Sequence, residues 1–250
     1  MISLMCENSI DGVFSGIYEA WAGKYNRDEL VLRTGEIGNY ELFMEYRDVP
    51  VNTEHSCTVG RTLQRLFGED TYESICGAVW SEAGDKADAV YRMVKYGIEH
   101  KLGYGLKNHL TNPAVERVFE LSRSTWGEAH HYLGFIRFAR LESGVLYAET
   151  EAKNYVLEVV AAHFADRLPG NDWVIHDTGY DRAAVHPAGK EWFVIDGEQA
   201  GELASQSYAQ GEEELRQLWR NFCSSVSIQS RCNPKLQRQN LPLRFRSHMV

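Results

Sequence analysis

The apolar residues of this chain change their spacing near Gly134, from a helical to a strand-like period. Upstream, Asn112 and Pro113 form a favourable N-cap and first helical position. A long apolar stripe then runs from Val115 to Leu133. This segregation of helix from strand is unlike the regular alternation of a doubly wound sheet and predicts an α+β fold.

A β-hairpin is predicted directly after this helix, with strands over 135–141 and 145–151 around Gly144. A three-residue loop sets Arg137 opposite Glu149. One face of the hairpin is expected to be solvent-exposed and the other buried. The exposed face comprises Phe135, Arg137, Tyr147, Glu149 and Glu151, and the buried face Ile136, Phe138, Leu146 and Ala148.

The predicted architecture has a helical N-terminal half, then β-hairpin, helix, short antiparallel strands, a closing amphipathic helix and a basic tail. Ser9 is expected to cap the first helix. Further helices are expected over 58–82, 85–101 and 154–168, strands over 173–177, 182–186 and 191–196, a surface linker over 197–211 and a last helix from Leu215. We expect one α+β domain over 1–230, with a candidate sub-boundary near 103–112, and a basic tail over 231–250 packed on that body.

The charge of the chain reverses at its C-terminal end. Leu215 to Val250 holds seven Lys or Arg and no Asp or Glu, whereas the whole chain has a net charge of −9. The preceding residues therefore hold 19 basic and 35 acidic side chains. A basic end on an acidic body indicates a polyanion partner, or equally a basic strap that neutralises the acidic body of its own chain or of another protein.

Composition excludes several classes of protein. The sequence has no apolar run long enough to span a membrane and no secretory signal, so a cytoplasmic location is expected. The cysteines are odd in number and never spaced as C-x-x-C, which argues against a disulfide framework and against zinc or iron–sulfur sites. We therefore expect no metal and no cofactor, and cysteines that serve packing. They are Cys6, Cys57, Cys76, Cys223 and Cys232.

No diagnostic catalytic motif is present, and three polar clusters remain as candidates. The first surrounds His130 and His131 at the end of the long helix. Arg and His beside Trp126 and the small Gly127 could hold a phosphate or a stacked base. The alternative is an ordinary helix end, with His favoured by the helix dipole and Arg137 paired with Glu149. The candidate ligands of this cluster are Arg123, His130, His131, Arg137 and Arg140.

The second cluster joins His163 and Arg167, one helical turn apart, with Asp177 and Arg182 on the following strands. A His, a carboxylate and a guanidinium would supply a general base, its orienting partner and an anion holder, so His163, Asp177 and Arg182 are the candidate catalytic residues. Arg167 is a candidate ligand for a nucleic-acid phosphate. The alternative is a hydrogen-bonded core histidine, because His163 follows a strongly apolar run.

The third cluster is the tail, where guanidinium and amide groups alternate with Leu and Phe. This pattern suits a segment that packs its apolar residues and turns its polar ones toward phosphate. The candidate contacts are Asn233, Lys235, Gln237, Arg238 and Arg244.

Four blocks of sequence, in order, resemble a bacterial family of unknown function that is associated with DNA metabolism and DNA repair. The blocks are Glu128-Ala129-His130-His131-Tyr132-Leu133-Gly134-Phe135-Ile136-Arg137-Phe138, Ala162-His163-Phe164-Ala165-Asp166-Arg167, Trp173-Val174-Ile175-His176-Asp177 and Asn233-Pro234-Lys235-Leu236-Gln237-Arg238-Gln239. Members are typically encoded beside a radical-SAM protein of DNA modification or repair, and some are fused to a uracil-DNA-glycosylase-like domain. The resemblance thus implies a radical-SAM partner and a DNA-repair context.

The chain departs from this family pattern at His131, where a basic residue is usual, and at 243–246, where an aromatic-rich run is usual. It lacks the glycosylase-like part and is not expected to be a uracil glycosylase. We therefore expect an accessory protein of DNA repair, without catalysis of its own, that engages nucleic acid, a radical-SAM partner or both. The alternatives are an enzyme acting on damaged bases or nucleotides and a structural adaptor of the radical-SAM protein without DNA affinity.

Overall fold

A computed structural model describes residues 1–26, 28–35, 40–204 and 206–246. The chain divides into two compact units, Met1–Trp126 and Gly127–Val250, with the division inside helix α5 (Pro113–Phe135). The chain contains both helices and strands, and its strands form two separate sheets, which confirms the α+β class. The predicted single domain over 1–230, with its candidate sub-boundary near 103–112, stays a prediction.

The first unit combines a small sheet with several helices. Its strands are β1 (Ile2–Cys6), β2 (Leu30–Thr34) and β3 (Glu45–Asp48), and its helices before α5 are α1 (Ile10–Ala22), α2 (Thr53–Phe67), α3 (Glu69–Val79) and α4 (Lys86–Glu99). The strand order is β2-β1-β3, and both pairings are parallel. Leu4, Leu32, Phe14 and Val90 are buried in its core, so one face of the sheet is covered by helices.

Local capping explains where several of these helices begin. Ser9 accepts a hydrogen bond from the backbone N–H of Gly12 at 3.0 Å, which confirms the predicted cap of α1. Asn112 accepts from the N–H of Ala114 at 3.0 Å, as predicted for the start of α5. The predicted single helix over 58–82 is wrong, because Gly68 has a φ of 85° and separates α2 from α3.

The second unit holds a five-stranded sheet in the order β4-β5-β6-β7-β8. Its strands are β4 (Ala139–Arg140), β5 (Leu146–Thr150), β6 (Trp173–Asp177), β7 (Arg182–His186) and β8 (Phe193–Asp196), and its helices after α5 are α6 (Leu157–Arg167), α7 (Gly197–Ala204), α8 (Glu212–Val226), α9 (Pro234–Asn240) and α10 (Leu243–Arg246). The β5–β6 pair is parallel and the other pairs are antiparallel. Strands β6 and β7 have the predicted bounds.

The hairpin differs in part from its prediction. Ala139 pairs with Tyr147, which is the predicted register, and Gly144 has a φ of 90°. The first strand is much shorter than expected: α5 continues to Phe135, and β4 covers only Ala139 and Arg140. Tyr147, which was assigned to the solvent face, is only 5% exposed. The prediction failed because this sheet is covered on both faces.

Helix α7 provides the second cover and lies where a surface linker was expected. It packs on β6 and β7, and Ala200 is fully buried beside Tyr147 and Val174. The other face of the sheet carries Trp173 and Ile175, which pack in a core with α5 and α6. The linker prediction for 197–211 is therefore wrong for the segment that α7 occupies.

Helix α8, every residue of which is described, buries none of its side chains. Its predicted apolar stripe is present but solvent-exposed, with Leu218 at 62% and Phe222 at 55%. Farther on, Phe245 of α10 is 1% exposed and belongs to the core formed by α5 and α6. Among the described helices, none combines the length and the apolar composition that crossing a bilayer requires.

Candidate functional site

A cleft lies in the second unit between the β4–β5 hairpin and helix α8. Its cavity volume is about 450 Å³, within the range of small-molecule sites. Arginine and aromatic side chains make up much of its lining, and we call it the arginine–aromatic cleft. The lining residues that carry this character are Arg137, Arg140, Arg216, Tyr147, Tyr208 and Trp219, joined by Glu149 and Glu212.

Two of the cleft's guanidinium groups are held over aromatic rings. Arg137 Cζ lies 5.3 Å from the centre of the Trp219 ring, and Arg216 Cζ lies 4.2 Å from the centre of the Tyr208 ring. Arg137 Nη1 also donates to the carbonyl of Ile136 at 2.8 Å. Stacking on a ring leaves the edge N–H groups of a guanidinium able to point at a ligand, in the geometry that suits phosphate. In Arg137 these are the groups other than Nη1, which is bonded to the backbone.

The third guanidinium, that of Arg140, is exposed on the short strand β4. The backbone N–H of Arg140 donates to Glu212 Oε2 at 3.2 Å, and the backbone carbonyl of Arg140 accepts from the N–H of Ala209. These two bonds attach the hairpin to the start of α8. They place Arg140 at the cleft without occupying its side chain.

Tyr147, Glu149 and His176 form a hydrogen-bonded chain at the cleft. The Tyr147 hydroxyl donates to Glu149 Oε1 at 3.1 Å and lies 2.9 Å from His176 Nδ1. Burial, with the nearby Glu149 carboxylate, raises the pKa of the Tyr147 hydroxyl, which therefore keeps its proton. Because the single hydroxyl proton goes to Glu149, the contact between Tyr147 and His176 is a hydrogen bond only when His176 carries a proton on Nδ1 and donates it to Tyr147.

A second polar cluster surrounds Glu128, whose side chain is 1% exposed. Its carboxylate accepts from the backbone N–H of Lys153 at 3.0 Å and of Asn154 at 2.8 Å, and from Asn154 Nδ2 at 2.7 Å. Arg244 Nη1 lies 3.0 Å from Glu128 Oε1. One buried carboxylate thus holds both the loop before α6 and the C-terminal tail.

Asp177 is a second buried carboxylate in this unit, at 1% exposure. Its Oδ1 accepts from the N–H groups of Ala152 and Gly179, each at 3.1 Å, while Oδ2 has no hydrogen-bond partner among the described residues. Burial outweighs those two bonds and raises the pKa of Asp177 to about 6. The bonds of Asp177 fix the turn between β6 and β7 to the loop after β5.

The candidate catalytic residues each contact other groups. Asp177 bonds to the loops just described, and Arg182 donates to the Tyr155 hydroxyl at 2.9 Å. His163 is half-buried on α6 and packs edge-to-face on Phe164. In the described part of the chain, no hydrogen bond or ring contact joins these three residues to one another. Their catalytic roles stay a prediction.

The candidate ligands on the helices differ in their surroundings. Arg123, His130 and Arg167 are exposed. His131 is stacked on Phe135 with ring centres 5.5 Å apart and lies against Phe245 at 5.1 Å. Burial, followed by the positive charge of Arg244, lowers the pKa of His131. Above that pKa, His131 is neutral and helps to hold the tail through its ring contact with Phe245.

The tail residues fall into two groups. Asn233 caps α9 by accepting from the N–H of Leu236 at 3.1 Å, and Lys235, Gln237 and Arg238 are solvent-exposed on that helix. Arg244 instead pairs with the buried Glu128.

Several residues of these clusters were not singled out from the sequence. The helical pattern of α8 places Arg216 and Trp219 at i and i+3, so the sequence could have indicated that they are neighbours. Tyr147 and Glu149 were recognised only as hairpin residues, and Glu128 gave no signal of burial. Within the described ranges, no group of three or more His, Cys, Asp or Glu is arranged to hold a metal ion.

The cysteines are free, and only two of those expected to serve packing are buried. Cys6 and Cys76 lie in the first core, where burial raises the pKa of the Cys6 thiol to about 12 and that of Cys76 to about 11. Cys57, Cys223 and Cys232 are exposed, so the packing expectation is wrong for these three.

Comparison with known proteins places residues 84–250 within a family model described as DUF4130, a domain of unknown function. A search of proteins with curated descriptions finds no match. One solved structure that is similar is described as a DHH-domain member of a family of ribosomal proteins. It is 11% identical, with a TM-score of 0.35, and the match covers 74% of this chain and 73% of that one.

Proposed function

Since the chain belongs to the DUF4130 family, a domain family of unknown function, we propose from its own site that it is an accessory protein of DNA metabolism that binds nucleic acid. The observation that carries the proposal is the arginine–aromatic cleft, in which Arg137, Arg140 and Arg216 line one cavity with Tyr208 and Trp219. Guanidinium groups hold phosphates, and aromatic rings accept stacked bases.

The cleft favours single-stranded nucleic acid over a duplex. Its cavity of about 450 Å³ has room for an unpaired nucleotide but not for a base pair with both backbones. Stacking on Trp219 or Tyr208 also requires a base face that a continuous duplex hides. The ligand we propose is therefore a single strand, or an unpaired nucleotide within a longer DNA.

The proposal gives a separate role to the exposed basic residues of α9. Lys235 and Arg238 are solvent-exposed and lie in a segment without acidic residues. We assign them to backbone phosphates outside the cleft, where they contribute affinity without base preference. Arg244, by contrast, is assigned to anchoring the tail through Glu128.

The DNA-repair context and the radical-SAM partner enter this proposal from the sequence resemblance. The resembling blocks include Arg137, which lines the cleft, and Lys235 and Arg238 of the tail. In the proposed arrangement the protein presents a strand to the radical-SAM protein, which performs the chemistry.

The test is binding of fluorescently labelled single-stranded and double-stranded DNA to the purified protein, with and without the radical-SAM protein. An Arg140→Ala/Arg216→Ala variant should bind single strands at least tenfold more weakly, since each phosphate contact contributes about 1 kcal/mol. An Arg65→Ala/Lys190→Ala variant removes equal charge from exposed positions outside the cleft and should bind normally.

Equal losses in the two variants would show that net charge rather than the cleft governs binding. Negligible DNA binding, combined with tight association with the radical-SAM protein, would favour the structural adaptor instead.

A further inference from the structure

Among the described residues, the cleft contains a carboxylate that forms no ion pair with its arginines. Glu149 is exposed, and it accepts a hydrogen bond from the Tyr147 hydroxyl. Arg137 is instead held over Trp219 and bonded to backbone carbonyls, and Arg216 lies over Tyr208. A ligand that fills this cleft therefore meets guanidinium donors and an acceptor-only carboxylate together.

The Tyr147–His176 pair fixes Glu149 in this position. Tyr147 is 5% exposed and His176 is 8% exposed, so both are rigid relative to a surface side chain. The hydroxyl proton of Tyr147 is committed to Glu149 Oε1, which leaves Oε2 to accept a further donor. A carboxylate placed in this way selects ligands that can donate a hydrogen bond.

We propose that the cleft takes an unpaired nucleotide whose base bears an exocyclic amino group, and that Glu149 is the specificity residue that accepts from it. This inference rests on the proposed function. The arginines hold the phosphate, Trp219 or Tyr208 stacks on the base, and Glu149 Oε2 accepts from the amino group, as carboxylates do from cytosine N4. Thymine and uracil present a carbonyl at that position, which the carboxylate repels.

The direct test compares dCMP with dTMP, which carry an amino group and a carbonyl, respectively, at C4. Because thymine also carries a C5 methyl group, dUMP serves as the control for that methyl and should bind as dTMP does. Quenching of tryptophan fluorescence reports binding, because Trp219 lies in the cleft. The wild-type protein should bind dCMP about tenfold more tightly than dTMP, the preference that one charge-assisted hydrogen bond gives. In Glu149→Gln the amide can also donate to the thymine carbonyl, so the ratio should fall to about one.

Controls separate the cleft from other effects. Glu142→Gln changes an exposed glutamate in the same hairpin, outside the cavity, and should keep the wild-type ratio. Tyr147→Phe removes the bond that orients Glu149 and should lower the ratio. Comparison of CMP with dCMP shows whether Glu149 instead accepts a hydrogen bond from the ribose 2′-hydroxyl. In that case the wild type would prefer CMP and Glu149→Gln would lose this preference, which would overturn the assignment to the base.

Equal binding of dCMP and dTMP by the wild type, an unchanged ratio in Glu149→Gln, or no binding of either nucleotide would each overturn the inference. The proposed function is judged separately, by the loss of oligonucleotide binding in Arg140→Ala/Arg216→Ala. Retained oligonucleotide binding without nucleotide discrimination would therefore refute the role of Glu149 alone.

Discussion

Glu128→Ala is the substitution whose effect the structure determines most clearly. It removes one buried carboxylate that accepts from the Asn154 backbone N–H at 2.8 Å, from Asn154 Nδ2 at 2.7 Å and from the Lys153 N–H at 3.0 Å. Asn154 is 5% exposed, so water cannot readily replace the lost acceptor. Each buried donor left without a partner costs about 1–3 kcal/mol.

The expected loss for Glu128→Ala is about 4 kcal/mol in the free energy of unfolding, if the two Asn154 donors are counted fully and the partly buried Lys153 donor is neglected. For a chain of this length that corresponds to a fall of about 10 °C in Tm. Urea denaturation followed by circular dichroism measures the first quantity, and calorimetry the second. Glu191→Ala, at an exposed position, is the matched control and should change stability by less than about 0.5 kcal/mol.

The contribution of the tail to this cluster is tested by Arg244→Ala. Glu128 is buried but keeps its three N–H donors in that variant, and the Arg244 side chain is 37% exposed, so the loss should stay below the value of about 4 kcal/mol expected for Glu128→Ala. The reasoning is refuted if Glu128→Ala is as stable as Glu191→Ala. It is also refuted if Arg244→Ala costs as much as Glu128→Ala, since the tail would then be the main partner of the carboxylate.

Three further predictions concern the second unit. The pKa of Asp177 is raised from 3.8 to about 6, so ionisation of this carboxyl destabilises the fold as pH rises through that window. Over this range the free energy of unfolding of Asp177→Asn, relative to wild type, should increase by about 3 kcal/mol in urea titrations. A difference that does not change with pH would contradict the raised pKa. Phe245→Ala should lower the free energy of unfolding by about 3 kcal/mol and expose the tail to limited proteolysis. Leu243→Ala, at a position that is 64% exposed, is the control and should do neither. Ala200→Glu should lower Tm by more than about 5 °C, because it buries a charge under the sheet; normal melting would show that α7 does not cover β6 and β7.

Local chemistry made much of the fold predictable from the sequence. Ser9 and Asn112 are caps whose hydrogen bonds lie within three residues of the helix start, so no tertiary information is needed to recognise them. Strands β6 and β7 were predicted with correct bounds because turn residues delimit both. Gly144 was predictable in the same way, since the hairpin loop requires positive φ there.

The errors arose where distant segments decide the environment. Tyr147 alternates as a solvent-facing residue would, but α7 covers that face from about fifty residues farther along the chain. The arginine–aromatic cleft has the same origin, because Arg137 and Trp219 meet only after the hairpin and α8 have packed. Arg137 and Arg140 could be suggested from their residue types, whereas the meeting of Arg216, Tyr208 and Trp219 with them could not.

The salt dependence of single-stranded DNA affinity tests the central claim most directly. Each phosphate contact contributes about 0.7 to the slope of log affinity against log salt concentration for single strands. We therefore predict that Arg140→Ala/Arg216→Ala flattens the wild-type slope by about 1.4, while Arg65→Ala/Lys190→Ala leaves it unchanged. An equal slope in the wild type and in Arg140→Ala/Arg216→Ala would show that the cleft does not contact phosphate and would contradict the proposed function.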